Sequence, residues 1–203
     1  MQITDHDRQR IAQAVRAAEH RTAGEIVCVI TQRSAEYRLM PVAWAALLAL
    51  VVPAPLLYLL HWPAAWIYLA QLVAFLGAGL LLSVPGLRMR IVPRRTQRER
   101  AHGEALRQFR ALGLERTEQR TGVLIFASVD EHHAEIVADA GINDKVPGAV
   151  WDAAVAALTG GIGQGRPADG FVAAIEKCTE VLAAHFPPGS LNRDELPNRL
   201  VEL

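Results

Sequence analysis

The chain has 203 residues, 51% of them hydrophobic, and its 21 basic residues balance 21 acidic ones. That length allows one domain of ordinary size plus a membrane segment, and the balanced charge gives nucleic-acid binding no general electrostatic support. The two cysteines, Cys28 and Cys178, lie inside apolar patterns; they argue against a disulfide framework or a metal site and read as buried, reduced thiols of a cytosolic compartment.

The N-terminus is polar and reads as a helix at once, which argues against a secretory signal. Thr4 with Asp7 resembles a capping box. Ile11, Ala14, Val15 and Ala18 then recur at helical spacing, so a helix is expected from Asp5 to His20. Arg21 to Gly24 turns the chain. Glu25 to Ile30 is short, apolar and β-branched, the pattern of a central strand covered on both faces. The first segment, residues 1–38, is thus a helix and a strand with a polar exit.

Between Arg38 and Arg88 there is no Asp, Glu, Lys or Arg. One bilayer crossing takes roughly 20 apolar residues, so the run suffices for two. It breaks at His61-Trp62-Pro63, where an interfacial aromatic meets a helix-starting proline. A transmembrane helical hairpin over residues 39–87 is expected, with legs 39–60 and 63–87. The first leg carries eleven Leu and Val residues, each favouring insertion by roughly 0.3 to 0.6 kcal/mol near the bilayer centre. Pro53 and Pro55 kink its second half. Ala70, Ala74 and Ala78, with Gly77 beside them, let the legs approach closely. Arg33 and Arg38 precede the hairpin; Arg88, Arg90, Arg94, Arg95, Arg98 and Arg100 follow it. Positive flanks stay in the cytoplasm, which puts both termini on that side. Of this cluster Arg88, Arg90, Arg94 and Arg95, nearest the hairpin, are also candidates to hold anionic lipid headgroups.

The remainder of the soluble domain spans residues 88–188, and a tail without clear period spans 189–203. Thr96 to Gly113 is an amphipathic helix whose apolar line is Ala101, Ala105, Phe109 and Leu112. Its alternating charges and narrow apolar face favour packing on a sheet rather than on a membrane. Gly122 to Val129 is a second buried strand. Asp130 to His133 is a tight polar connection, and Ala134 to Ala138 is a third strand antiparallel to the second. Pro147 starts a helix that Gly160-Gly161 ends, with Val150, Trp151, Ala154 and Leu158 buried. Asp169 is the N-cap of the last helix, Phe171, Ile175, Cys178, Val181 and Leu182 form its stripe, and Pro187-Pro188 stops it. The tail packs as an extended arm through Leu196, Leu200 and Val201. The first strand precedes the hairpin and its neighbours follow it. The expectation is an α/β domain, a mixed central sheet flanked by helices, interrupted by an inserted two-helix transmembrane hairpin.

Hard cations need several oxygen ligands, and ligand sites in α/β sheets collect where strands meet helices. Glu25, Asp139, Asp144 and Asp169 are the metal-ligand candidates on that ground, for calcium or magnesium. Glu131-His132-His133 reads as a solvated loop, because no third ligand has helical or strand spacing to the histidines and His102 is far off in sequence. Gly160 to Arg166 is glycine-rich but follows a helix, the wrong context for a phosphate loop, and reads as a flexible connection. Arg166, near a helix start, remains an anion candidate. Ser128 ends a strand without a nucleophile elbow or an obvious base. The hairpin, lacking ionisable residues within its legs, offers no ion path.

Gly24-Glu-Ile-Val-Cys-Val, Thr121-Gly-Val-Leu-Ile-Phe-Ala-Ser and Glu135-Ile-Val-Ala-Asp-Ala-Gly-Ile142 resemble the TPM domain family, which includes thylakoid-lumen proteins linked to photosystem II repair. Asp169-Gly-Phe, His185-Phe-Pro-Pro188 and Asp194-Glu-Leu-Pro-Asn198 are similar to a bacterial membrane branch of that family. The resemblance implies an α/β sandwich around a mixed sheet. It also implies two activities described for some relatives, acid phosphatase and calcium or magnesium binding. The chain departs from the family's usual pattern after the third strand. An Asp expected near the next helix is absent at Pro147-Gly148, and Asp139 and Asp144 are the candidates to replace it. The expectation is a bacterial inner-membrane protein whose cytoplasmic TPM-like domain binds or assembles other membrane proteins. A divalent-metal-dependent phosphatase and an anionic-lipid sensor are the alternatives.

Overall fold

The computed structural model describes residues 3–35, 39–188, 196 and 198–203. The chain divides into two units, Met1–Ser34 with Arg98–Leu203, and Ala35–Gln97.

In the first unit, Thr4 caps helix α1 (Asp5–Glu19) by accepting from the Asp7 N–H at 3.2 Å, while the Asp7 carboxylate accepts from the Thr4 N–H at 3.1 Å. This reciprocal pairing satisfies two orphan donors. Strand β1 (Glu25–Thr31) is buried along its whole length. It pairs in parallel with β2 (Gly122–Ser128), Glu25 opposite Gly122 and Thr31 opposite Ser128. Strand β3 (His133–Ala138) pairs antiparallel with β2, and β4 (Leu200–Glu202) pairs in parallel with β1. The sheet order is β3-β2-β1-β4. The mixed sheet therefore joins strands from both sides of the 35–97 insertion, as the buried apolar runs implied.

Alternation along the strands sorts side chains into two layers. Ile26, Cys28, Val123 and Ile125 face α1, α8 (Asp152–Gly163) and α9 (Pro167–His185), meeting Ile11, Leu158, Phe171 and Leu182. Val27, Val29, Leu124 and Phe126 face Ala101, Ala105 and Phe109 of α6 (Arg94–Ala111). The apolar line of α6 thus lies on the sheet. Gly113, at φ +79, takes the left-handed conformation that closes this helix.

Four local expectations are corrected, the first being Val150, which is not buried but 41% exposed. Helix α8 does not stop at Gly160-Gly161 but runs to Gly163. A Cβ on Gly161 would lie 2.4 Å from the Gly170 Cα, so this glycine lets α8 and α9 cross closely. Asp169 is not an N-cap: α9 begins at Pro167, whose missing N–H costs nothing in a first turn, and Asp169 sits inside that turn. The tail contributes a true strand, β4, too short to show a period. Arg8 of α1 holds it by donating to Glu202 at 2.6 Å. Of the expected tail contacts, Leu200 is buried and Leu196 packs beside the α6 layer; residues 189–195 and 197 lie outside the described residues.

In the second unit, α2 (Leu39–Val51) gives way to α3 (Pro53–Tyr58) at the expected proline. Helix α4 (Ala64–Leu82) returns, and α5 (Pro85–Ile91) follows. Leu39–Tyr58 and Ala64–Leu82 are long and apolar enough to cross a membrane. Ala45 and Ala49 are buried, and a Cβ on Gly79 would meet that of Ala45 at 3.8 Å, so small residues line the contact between α2 and α4. Ala70, Ala74 and Ala78 are half-buried, whereas Gly77 faces open space and takes no part in this contact.

Candidate functional site

The four carboxylates proposed for a metal are not brought together. Glu25 and Asp139 share one edge of the sheet: Glu25 lies opposite Gly122, whose carbonyl accepts the Asp139 N–H at 2.9 Å. Asp144 is at the far end of α7 (Ala140–Asn143) from Asp139 and is exposed. Asp169 is in the first turn of α9, at the other end of that helix from the start of β1. The C-terminal residue after α9, Phe186, accepts the Ala23 N–H at 2.9 Å beside the start of β1, and Asp169 stands about 25 Å up the helix from it.

Two of these acids, Asp139 and Asp169, have local partners. Asp139 is buried; it accepts from Arg120 Nε at 2.9 Å and Nη2 at 3.1 Å, and from the Ala140 N–H at 2.6 Å as the N-cap of α7. Arg120 reaches it from a left-handed backbone position, φ +56. Asp169 accepts from Arg10 at 2.8 Å and Arg166 at 3.3 Å. Glu25 is buried rather than a solvated strand end. Among the described residues, no group of three or more His, Cys, Asp or Glu is placed to hold a metal ion.

The anion candidates are dispersed too. Arg166 is bound to Asp169 and to Gln164. Arg90, Arg94 and Arg95 are exposed on α5 and α6, and the side chain of Arg88 lies outside the described residues. The glycine run before Arg166 is mostly α8 itself, so it forms no phosphate loop.

The richer polar cluster stands at the opposite edge, where the parallel strands end. Ligands of open α/β sheets favour this edge. Asp130 accepts from Arg33 at 2.9 and 2.7 Å and from Gln32 at 2.6 Å. Glu131 is 6% exposed and accepts from the Ser34 N–H at 3.1 Å and from the Ser128 hydroxyl. The expectation of a solvated loop therefore fails for Glu131 and His133. The turn buries Glu131 against two donors, and His133 opens β3. Only His132, at φ +50, projects from the turn. His133 lies 3.4 Å from Glu135, and His102 of α6 hydrogen-bonds the same carboxylate at 3.0 Å. Burial pushes the Glu135 carboxyl up, but the two imidazoles beside it, His133 and His102, outweigh this and hold the group below its ordinary value. The signal was present in the sequence: residues 133 and 135 share a strand face, although nothing local announced His102.

A cleft of about 260 Å³ opens here, with Ser128, His132, His133 and Thr159 on its rim and Val129 and Ile162 among its apolar walls. The thiols are elsewhere and inert: burial pushes Cys178 up to about 12, and burial followed by Cys178 and Glu19 pushes Cys28 well up.

The molecule is thus an α/β protein with a mixed four-stranded sheet and an inserted apolar helical pair. Residues 86–181, just under half of the chain, match the family model of the TPM domain. No curated protein matches it. The NMR structure of BA42 protein from the psychrophilic bacterium Bizionia argentinensis is similar, with a TM-score of 0.63 at 23% identity, over 100% of this chain and 97% of that one. At that identity the likeness is one of fold.

Proposed function

We propose that this protein is a membrane-anchored TPM domain that binds or assembles other membrane proteins at the cytoplasmic face of a bacterial inner membrane. The observation that carries the reading is the apolar surface of the helical pair. No residue of α4 is buried, and Leu50, Tyr58, Tyr68 and Leu80 are each at least 70% exposed. Such a surface is untenable in water and ordinary in lipid. The anchor is inserted between two strands that pair, β1 and β2, so it interrupts the domain rather than trailing from it. The exposed Arg90 and Arg94 beside it favour the cytoplasmic side, and also support contact with anionic headgroups.

Chemical cross-linking in native membranes tests the proposal. The expected result is a reproducible set of membrane proteins joined to the 98–203 portion. Recovery of nothing above background contradicts it. The alternative, a divalent-metal-dependent phosphatase drawing on the acids Glu25, Asp139, Asp144 and Asp169, predicts turnover of phosphomonoesters with calcium or magnesium. No turnover with or without either ion removes that alternative.

A further inference from the structure

Glu135 lies opposite Phe126, so its side chain occupies the face of the sheet that α6 covers. Its side chain is half-buried, 18% exposed, beside a His102 side chain that is 56% exposed. One oxygen, Oε2, hydrogen-bonds His102 of α6 at 3.0 Å, and His133 of its own strand lies 3.4 Å away as an ion-pair partner, its Nε2 making no hydrogen bond among the described residues. The other, Oε1, is buried with no hydrogen-bond partner among the described residues. Helix α6 also brings Arg98 and Glu99 in the turn before His102, and Glu104 with Arg107, paired to each other, in the turn after. Strand β2 brings apolar Phe126, and the Ser128–Glu131 pair stands at the end of the same face. Among the described residues, the ion pairs of Glu135 are made with imidazoles alone.

A carboxylate with one buried, unpartnered oxygen needs compensation of its charge, or it destabilises whatever covers it. Lysine and arginine supply that charge at every physiological pH. Imidazole supplies it only when protonated, and its charge changes between about pH 5 and 8. The position matters as much as the chemistry. Strand β3 is an outer strand, bonded to β2 on one side. Helix α6 is the element by which the chain re-enters this unit after the insertion.

We propose that His102, Glu135 and His133 form a pH-sensitive clamp that fastens α6 to the outer strand β3, closed while an imidazole carries a proton and loosened when both are neutral. Loosening leaves Ala101, Ala105 and Phe109 to hold α6 by apolar contact alone. The device gives the domain two states of its re-entry helix, selected by cytoplasmic pH.

Hydrogen exchange on the full chain in detergent micelles, at pH 6 and pH 8.5 and corrected for intrinsic exchange rates, tests the clamp. Amides 101–105 and 133–136 are expected to lose protection roughly tenfold at the higher pH, the size of one lost charge-assisted hydrogen bond. In Glu135→Gln, whose amide carries no charge to compensate, the loss should vanish. Protection in the wild-type chain that ignores pH, or a variant that keeps the full response, overturns the proposal. Imidazole NMR on the unmodified chain decides the matter if the variant does not fold. The titration midpoint of His102 or His133 must then coincide with the midpoint of protection loss, and separate midpoints overturn the clamp.

Discussion

Asp139 shows what a single side chain can and cannot be asked to do. Both its oxygens are engaged, by Arg120 and by the cap of α7. A cation there has to displace a guanidinium. Asp139→Asn keeps the shape and loses the charge, and is expected to destabilise the fold by about 1 to 2 kcal/mol. That range is the worth of a charge-assisted pair discounted for the exposure of Arg120. Urea denaturation reads it. Glu135 makes a pH prediction. Its pKa in the folded state lies below the ordinary value. The stability it contributes is therefore present above the unfolded pKa, up to the pH at which the imidazoles of His102 and His133 lose their protons, and is lost on the acid side as pH falls through the lower, folded one. Replacing it by Gln should flatten that acid limb of the stability curve; an unchanged limb would show that other carboxylates cause it. The buried thiols predict that Cys28 and Cys178 resist alkylation at pH 8 until the protein unfolds. Rapid modification of the native protein contradicts that burial.

At the scale of elements, the helices and central strands were legible because each carries a period or a continuous apolar run. The capping box of Thr4 and Asp7, the line Ala101, Ala105 and Phe109, and the two buried strands all appear where their patterns lie. What escaped depends on contacts distant in sequence. Gly160 and Gly161 look alike in the chain, yet Gly161 touches Gly170 and Gly160 touches nothing. The two therefore respond oppositely to alanine. Gly160→Ala should gain up to about 1 kcal/mol from helix propensity. Gly161→Ala gains the same propensity but forces α8 from α9, and overpacking at roughly 1 to 3 kcal/mol outweighs it. Paired melting curves test this, and equal shifts of one sign would contradict the close crossing. Strand β4 escaped for a related reason: three residues carry no period, and only β1 makes them a strand.

For the whole molecule, the sequence located the insertion, and the sheet explains it. Glu25 and Gly122 are neighbours across the 35–97 unit, so the α/β domain is complete only when the chain returns. The site was less legible. Four acids at strand and helix ends suggested convergence, but α9 carries Asp169 the length of the domain from Glu25, a distance no linear reading contains. Conversely, His102 and Glu135 meet because α6 lies across β3, which becomes apparent only once the sheet is assembled. On the proposed reading the apolar pair anchors this domain in a membrane, and alkaline carbonate washing of membranes from cells producing the chain tests that anchor. The full chain should stay in the pellet, and a chain with residues 39–87 replaced by a Gly/Ser linker should move to the supernatant as a folded domain. Release of the full chain by carbonate would contradict a membrane-spanning anchor.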